Sequence, residues 1–217
     1  MRDLLKFCEA GQPWLLDTIR ALATLESPTH NKAAVDACGR TLQARLEGIG
    51  ARVTRLPQEA AGDHLRAQLG SGSTQILMLG HFDTVWDVGQ IATMPVREID
   101  GRLHGPGVYD MKAGVALGML AARALTEFVP ASSYRLTMLW TTDEETGSDT
   151  SRALLEAEAR RSAAVLVLEP SLPGGALKTG RKGCGDLELV IRGRAAHAGI
   201  DPSKGASAIS ELARQIL

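Results

Sequence analysis

The sequence predicts an α/β fold built on a mixed, largely parallel sheet flanked by helices. Three observations carry this. Continuous apolar runs recur at 75–80 (QILMLG), 134–141 (YRLTMLWT) and 163–168 (AAVLVL), as strands covered on both faces require. Helical segments separate these runs, and strands alternating with helices pair in parallel. The composition supplies a core, since 44% of the 217 residues are hydrophobic. With aromatics at only 4%, that core must be mostly Leu, Val, Ile and Ala.

The elements follow in order. Residues 13–25 read as a helix opened by Pro13, whose missing N–H costs nothing at the first helical position. Ser27-Pro28 ends it. A second helix over 31–48 sets Ala34, Ala37, Leu42 and Leu46 on one face and stops near Gly48 and Gly50. Short strands are expected at 51–56 and 64–69. The stretch 84–109 is too long for a structureless loop in a compact domain, so it is functional or contains a short hairpin. Its turn signals are Asp100-Gly101 and Gly105-Pro106-Gly107. Residues 111–128 are apolar nearly all round and predict a deeply buried helix, and 149–161 a charged surface helix. Beyond Gly174-Gly175 the pattern changes. Residues 184–193 alternate, with Leu187, Leu189 and Ile191 on one face, and predict a half-exposed strand; 203–217 predict a helix. Two domains are expected, one over 1–179 and the start of an α+β domain over 180–217.

Bulk properties exclude some functions. Lys plus Arg number 24 and Asp plus Glu 25, for a net charge of −1. Such a balance makes no case for nucleic-acid or anionic-membrane partners. Cys8, Cys38 and Cys184 form no CxxC pattern and read as reduced thiols, with Cys184 a small packing residue. The N-terminus lacks the apolar region of a secretory signal and no run reaches membrane-spanning length. A cytoplasmic location is expected.

The polar residues stand at telling places. His81 follows strand 75–80; Asp143, Glu144 and Glu145 follow strand 134–141; Glu169 follows strand 163–168. Asp110 closes the Gly-Pro-Gly loop and opens the buried helix, which it could also cap. Sites in open α/β sheets form at the carboxyl ends of strands. One imidazole with several carboxylates and no thiolate suits zinc, with cobalt or manganese also compatible. Crowded carboxylates repel one another unless a cation neutralises them. Asp83, two residues after His81, points the same way in extended chain and can accept a hydrogen bond from the far imidazole nitrogen. Adjacent Glu144 and Glu145 would face opposite ways in extended chain, one toward metal and one toward a water as general base. Taken singly, each has an ordinary reading: a solvated acid pair, a strand terminator at Glu169-Pro170, a structural His197. Their joint placement favours a site. His30, His64 and His104 read as ordinary polar residues.

Five segments in order, GHFDTV (80–85), GPGVYDMKAG (105–114), TTDEETGS (141–148), LEP (168–170) and GRAAHAG (193–199), resemble the dinuclear zinc aminoacylase and carboxypeptidase family. The similarity covers essentially the whole chain and is greatest to the glutamate carboxypeptidase branch. The resemblance implies a zinc-exopeptidase-like catalytic domain followed by a lid or dimerisation domain. It implies two Zn2+ ions: His81 and Glu169 on one, Asp110 bridging both, Glu145 on the second. Glu144 would be general base and proton shuttle, and Asp83 would support His81. His197 would polarise the scissile carbonyl, often across a homodimer interface. The Asp110-Met111 peptide bond would be cis. The implied reaction is hydrolysis of a peptide or N-acyl amide bond next to a carboxylate, with N-acyl amino acid deacylation as the alternative. A further histidine for the second zinc and an arginine for the substrate carboxylate are expected beyond Leu217, after a lid that this chain begins. Two other classes stand against an amide hydrolase: an inactive metal-binding or dimerisation fragment, and a metal-assisted phosphoesterase. The second lacks any phosphate-gripping Arg cluster or Gly-rich cradle.

Overall fold

The apolar runs form strands where expected. In the computed structural model, which describes residues 2–217 apart from 184 and 186, the elements run in chain order as follows. First come α1 (Arg2–Ala10), α2 (Gln12–Thr24), α3 (Lys32–Gly48), β1 (Arg52–Leu56), β2 (His64–Gly70) and β3 (Gln75–His81). Then come β4 (Arg97–Ile99), β5 (Arg102–His104), α4 (Ala113–Phe128), β6 (Arg135–Thr141), α5 (Arg152–Arg160), β7 (Ala164–Val167) and α6 (Ala208–Ile216). The chain divides into two compact units, Met1–Leu172 and Pro173–Leu217. Among the described residues no helix is long and apolar enough to cross a membrane.

The main sheet belongs to the first unit and has the order β1-β2-β6-β3-β7. β2 runs antiparallel to both neighbours, while β3 is parallel to β6 and to β7. Four strands therefore share one direction and β2 opposes them. The register pairs His81 with Thr141 and Leu79 with Val167. The residues that follow β3, β6 and β7 thus emerge together at one edge.

Alternation along the strands decides which helices cover which face. Leu65, Ala67 and Leu69 of β2 and Leu136, Met138 and Trp140 of β6 join one core with Leu22 of α2, Val35, Leu42 and Leu46 of α3, and Val115, Met119 and Ala122 of α4. The opposite face carries Arg66 and Gln75, which meet Glu158 of α5. Arg66 Nε lies 2.8 Å from Glu158 Oε1, and Gln75 Nε2 donates to Oε2 at 3.0 Å. Glu158 is buried and also meets Arg161 Nη2 at 2.8 Å, so two guanidinium groups compensate its charge.

Three features depart from the sequence pattern. Helix α1 has no buried residue. It is held by an edge-on contact between Phe7 and Phe128 and by Arg123, whose guanidinium lies over the rings of Phe7 and Trp14. Strand β7 reads as a covered strand, yet Val165 is 39% and Val167 60% exposed; among the described residues it is the sheet's edge, beside β3. The strand expected over 184–193 is not formed among the described residues, where only an isolated bridge joins Arg194 to Ala206. Alternation supplies a face, but a strand also needs a laddered neighbour. Cys184 lies outside the described residues. The long segment 84–109 does contain a hairpin, β4–β5. Its turn residues Asp100 and Gly101 both have positive φ, 50° and 71°, as a two-residue hairpin turn requires.

Candidate metal centre

His81 ends β3, and its backbone sets the site's floor. Its N–H approaches Met111 Sδ at 3.2 Å, and Met111 is fully buried against Gly80. The ring is 1% exposed. Nδ1 lies 3.1 Å from the main-chain oxygen of Asp83 and 3.3 Å from its Oδ1, the hydrogen-bond alignment favouring the main-chain oxygen. Nε2 faces the other way, toward Asp110 Oδ1 at 3.2 Å, Glu169 Oε1 at 3.4 Å and Glu144 Oε2 at 3.7 Å. One nitrogen is therefore occupied by the protein and the other is turned to the carboxylates.

Asp110 stands in an irregular turn between Gly107 and α4. Gly107 has φ 65°, and a Cβ there would lie 2.6 Å from Thr84 Cγ2, so only glycine makes this turn without strain. The Asp110-Met111 bond is cis. Asp110 does not cap α4, whose N-cap is Lys112 with no side-chain cap bond. The kinked backbone turns its carboxylate to His81 instead. Lys112 is fully buried, and Nζ donates to Leu22 O at 3.0 Å and Leu25 O at 2.9 Å, tying this turn to the end of α2.

Residues 144–146 form a tight 3₁₀ turn rather than extended chain, so the opposite-facing argument for Glu144 and Glu145 does not hold. Asp143 explains the turn. Its side chain is buried, and Oδ2 accepts from Thr150 N at 2.7 Å, Thr150 Oγ1 at 2.8 Å and Ser151 N at 3.2 Å. Burial pushes the Asp143 pKa up, but hydrogen bonds from Ser151 and Thr150 outweigh it and hold the carboxyl below its usual range. His64 braces the same loop from beneath, with Nδ1 3.0 Å from Thr142 Oγ1 and Nε2 3.1 Å from Thr150 Oγ1. Burial lowers its pKa. An isolated histidine opening a strand gave no sign of this role in the sequence. Thr29 was missed for the same reason; its Oγ1 donates to Asp83 Oδ2 at 2.7 Å.

His81, Asp110 and Glu169 each offer one ligand atom, all within 4.8 Å of one another. Glu145 stands outside that trio, although the charges of Asp110, Asp83 and Glu144 reach it. Burial is the largest cause raising the carboxyl pKa values of Asp110, Glu144 and Glu145. Glu169 raises Asp110 further, and Glu169, Asp110 and Asp83 raise Glu144. Burial pushes His81 down, but hydrogen bonds to Asp83 and Glu169 prevail and lift it to about 11. A proton on Nε2 thus holds the carboxylates together in the protein alone. The donor set fits a divalent cation at the same place: one imidazole nitrogen and carboxylate oxygens, with the far imidazole nitrogen already engaged.

His197 belongs to the second unit and is exposed. Its Nδ1 accepts from Gly199 N at 3.1 Å and Ile200 N at 3.0 Å. A nitrogen accepting two N–H bonds carries no proton, so the neutral ring bears its hydrogen on Nε2, a donor facing outward.

The sequence pattern of peptidase family M20/M25/M40 matches residues 77–217. Carboxypeptidase G2 of Pseudomonas sp. (strain RS-16) is 33% identical over 210 residues, which are 95% of this chain and 51% of that protein. Succinyl-diaminopimelate desuccinylase of Rhodospirillum centenum (strain ATCC 51521 / SW) is 33% identical over 189 residues, covering 80% of this chain and 48% of that protein. The chain thus spans about half the length of these relatives. Among solved structures, aminopeptidase PepT from Bacillus cereus ATCC 10987 superposes with a TM-score of 0.68 at 25% identity, over 93% of this chain and 55% of that one. Motif order, sheet topology and these likenesses agree: the chain belongs to peptidase family M20/M25/M40.

Proposed function

We propose that the protein is a metal-dependent hydrolase of a peptide or N-acyl amide bond adjoining a carboxylate, similar in kind to the carboxypeptidase relative. The convergence of His81 Nε2, Asp110 and Glu169, with Glu144 Oε2 3.7 Å from that nitrogen, is the observation that carries the reading. His81, Asp110 and Glu169 would hold one metal, zinc by preference, with Asp110 shared and Glu145 serving a second. Bound metal supplies carbonyl polarisation and a lowered pKa for the attacking water. Glu144 takes the proton from that water and returns it to the leaving amine. Burial and the neighbouring carboxylates raise its pKa, which moves a carboxyl toward the range a general base needs. Asp83 orients His81. His197, with its hydrogen on Nε2, donates to the carbonyl oxygen as charge develops there. A homodimer through the 180–217 portion and a cytoplasmic location complete the proposal. The 33% identity to a desuccinylase supports N-acyl amino acid deacylation as the second reading.

Metal content and turnover of folyl- and N-acyl-glutamates, set beside an aryl phosphate, test this. Hydrolysis of the glutamates with bound metal is expected of the full-length protein. Glu144→Gln should keep its metal and lose turnover by about 10²–10⁴-fold. A full-length protein with neither metal nor turnover would sink the reading, and turnover of the phosphate alone would replace it with a phosphoesterase.

A further inference from the structure

Between α2 and α3 the chain passes through Ser27, Pro28 and Thr29, all three buried. They lie beside Phe82–Thr84, the residues that leave β3. Thr84 N donates to Ser27 O at 2.9 Å, Thr29 N to Thr84 O at 3.3 Å, and Ser27 Oγ to Phe82 O at 2.6 Å. Pro28 and Thr84 form an isolated parallel bridge. This short rail extends the pairing of β3 past the sheet edge, alongside the residue that backs the imidazole. Its approach is fixed by Lys112, two residues after Asp110, which holds the carbonyls of Leu22 and Leu25.

The rail delivers one side chain to the site. Thr29 Oγ1 donates to Asp83 Oδ2 at 2.7 Å, and Glu145 N reaches the same oxygen at 3.4 Å. Asp83 is fully buried, and its Oδ1 lies 3.3 Å from His81 Nδ1. A carboxylate with one oxygen held by a short hydroxyl bond cannot swing about its Cβ–Cγ axis without breaking that bond. The main-chain oxygen of Asp83, which receives His81 Nδ1, sits on the same rail-paired segment. Both contacts that aim the ring therefore depend on residues 27–29.

We propose that Thr29 is a positioning residue: its hydroxyl fixes Asp83, and Asp83 fixes the His81 ring with Nε2 toward Asp110 and Glu169. The consequence for metal binding rests on the metal-centre reading above, while the link from Thr29 to His81 does not. Thr29→Val keeps the shape and removes the donor; Thr29→Ser keeps the donor. A threonine present only for packing would make Val the milder change and Ser the harsher one, so the order of the two variants separates the roles.

Two measurements on the 217-residue chain settle it. The first is the long-range proton–nitrogen spectrum of the imidazoles without metal. Thr29→Val should shift the His81 nitrogens while Thr29→Ser leaves them near wild type. The second is Co2+ titration followed by visible absorption. Partners that orient a metal-binding histidine are worth 10–100-fold in affinity. Acting one contact further out, Thr29→Val should weaken Co2+ binding about three- to tenfold, with Thr29→Ser within about twofold of wild type. Wild-type Co2+ binding with unchanged affinity and unchanged His81 signals in Thr29→Val would overturn the inference and leave the metal centre standing. A wild-type chain that binds no Co2+, but whose His81 signals respond to Val and not to Ser, would support the link and overturn the metal reading. If Thr29→Val fails to fold, Thr29→Cys, similar in volume with a weaker donor, should fall between wild type and loss; a wild-type result there also overturns the proposal.

Discussion

At the scale of single residues, the two nitrogens of His81 face opposite demands. Nδ1 is taken by Asp83, and Nε2 meets three carboxylates. Its folded pKa of about 11 lies above the unfolded value near 6.5. The stability it contributes to the metal-free protein is therefore full below about pH 6.5 and is lost as pH rises toward 11. A cation at Nε2 requires the neutral ring, so loading at pH 7 should release about one proton from His81, and affinity should rise as pH rises toward 11. Calorimetry in buffers of different ionisation enthalpy reads that proton directly; binding with no release would contradict the assignment of His81 as ligand. The candidates His81, Asp110, Glu144 and Glu169 were legible in the sequence because each closes a strand or opens a helix. Thr29 and His64 were not. Their partners lie 54 and 78 residues away, at Asp83 and Thr142, and nothing local distinguishes a bracing hydroxyl or imidazole from a solvated one.

At the scale of elements, close approaches decide where the site's side chains stand. A Cβ on Gly114 of α4 would lie 2.0 Å from Leu168 O, the carbonyl just before Glu169. That neighbour is backbone and cannot rotate away. Gly114→Ala should cost about 1–3 kcal/mol and weaken metal binding by displacing Glu169. Urea unfolding and metal titration check both effects, and wild-type values in each would show that α4 and the β7 exit are free to separate. Just before β2, Asp63 joins α3 to β1, with Lys32 Nζ at 2.6 Å and Arg55 at 2.9 Å. Burial alone would raise its pKa, but hydrogen bonds from Lys32, Gln58 and Arg55 prevail and depress it to about 2. Its stabilisation is present above the unfolded value near 3.8 and is lost as pH falls through about 2. Asp63→Asn should therefore cost about 1–2 kcal/mol at pH 7 and almost nothing near pH 2. A difference that persisted unchanged into acid would place the effect elsewhere. The apolar runs made β3, β6 and α4 legible, and Asp100-Gly101 pointed to the hairpin. Helix α1 escaped because none of its residues is buried and it is held through Phe7, which meets Phe128 and Arg123 of α4. Among the described residues, the alternation at 184–193 finds no laddered partner.

At the scale of the molecule, the sheet order turns scattered motifs into one centre. β6 inserts between β2 and β3, a crossover that no local pattern reveals. Strand existence could be read from composition and period, whereas neighbour choice depends on which helices share the core. The register then stacks the exits of β3, β6 and β7, concentrating carboxylates whose pKa values burial and mutual repulsion raise. Such a cluster stores unfavourable electrostatics that a divalent cation relieves. The protein should therefore be stabilised by metal through mass action. At a hundredfold excess over the dissociation constant, linkage supplies about 2.7 kcal/mol. For a domain of this size each kcal/mol moves the midpoint about 2–4 °C, so zinc should raise Tm by about 5–10 °C and a chelator should reverse it. Asp110→Asn removes a carboxylate from the trio while keeping its shape, and should lose most of that metal-dependent gain. Thermal unfolding with and without zinc, in both proteins, decides the matter. An unmoved wild-type midpoint, or an equal gain in the variant, would mean that the carboxylates at this edge are balanced by His81 alone and do not constitute a metal site.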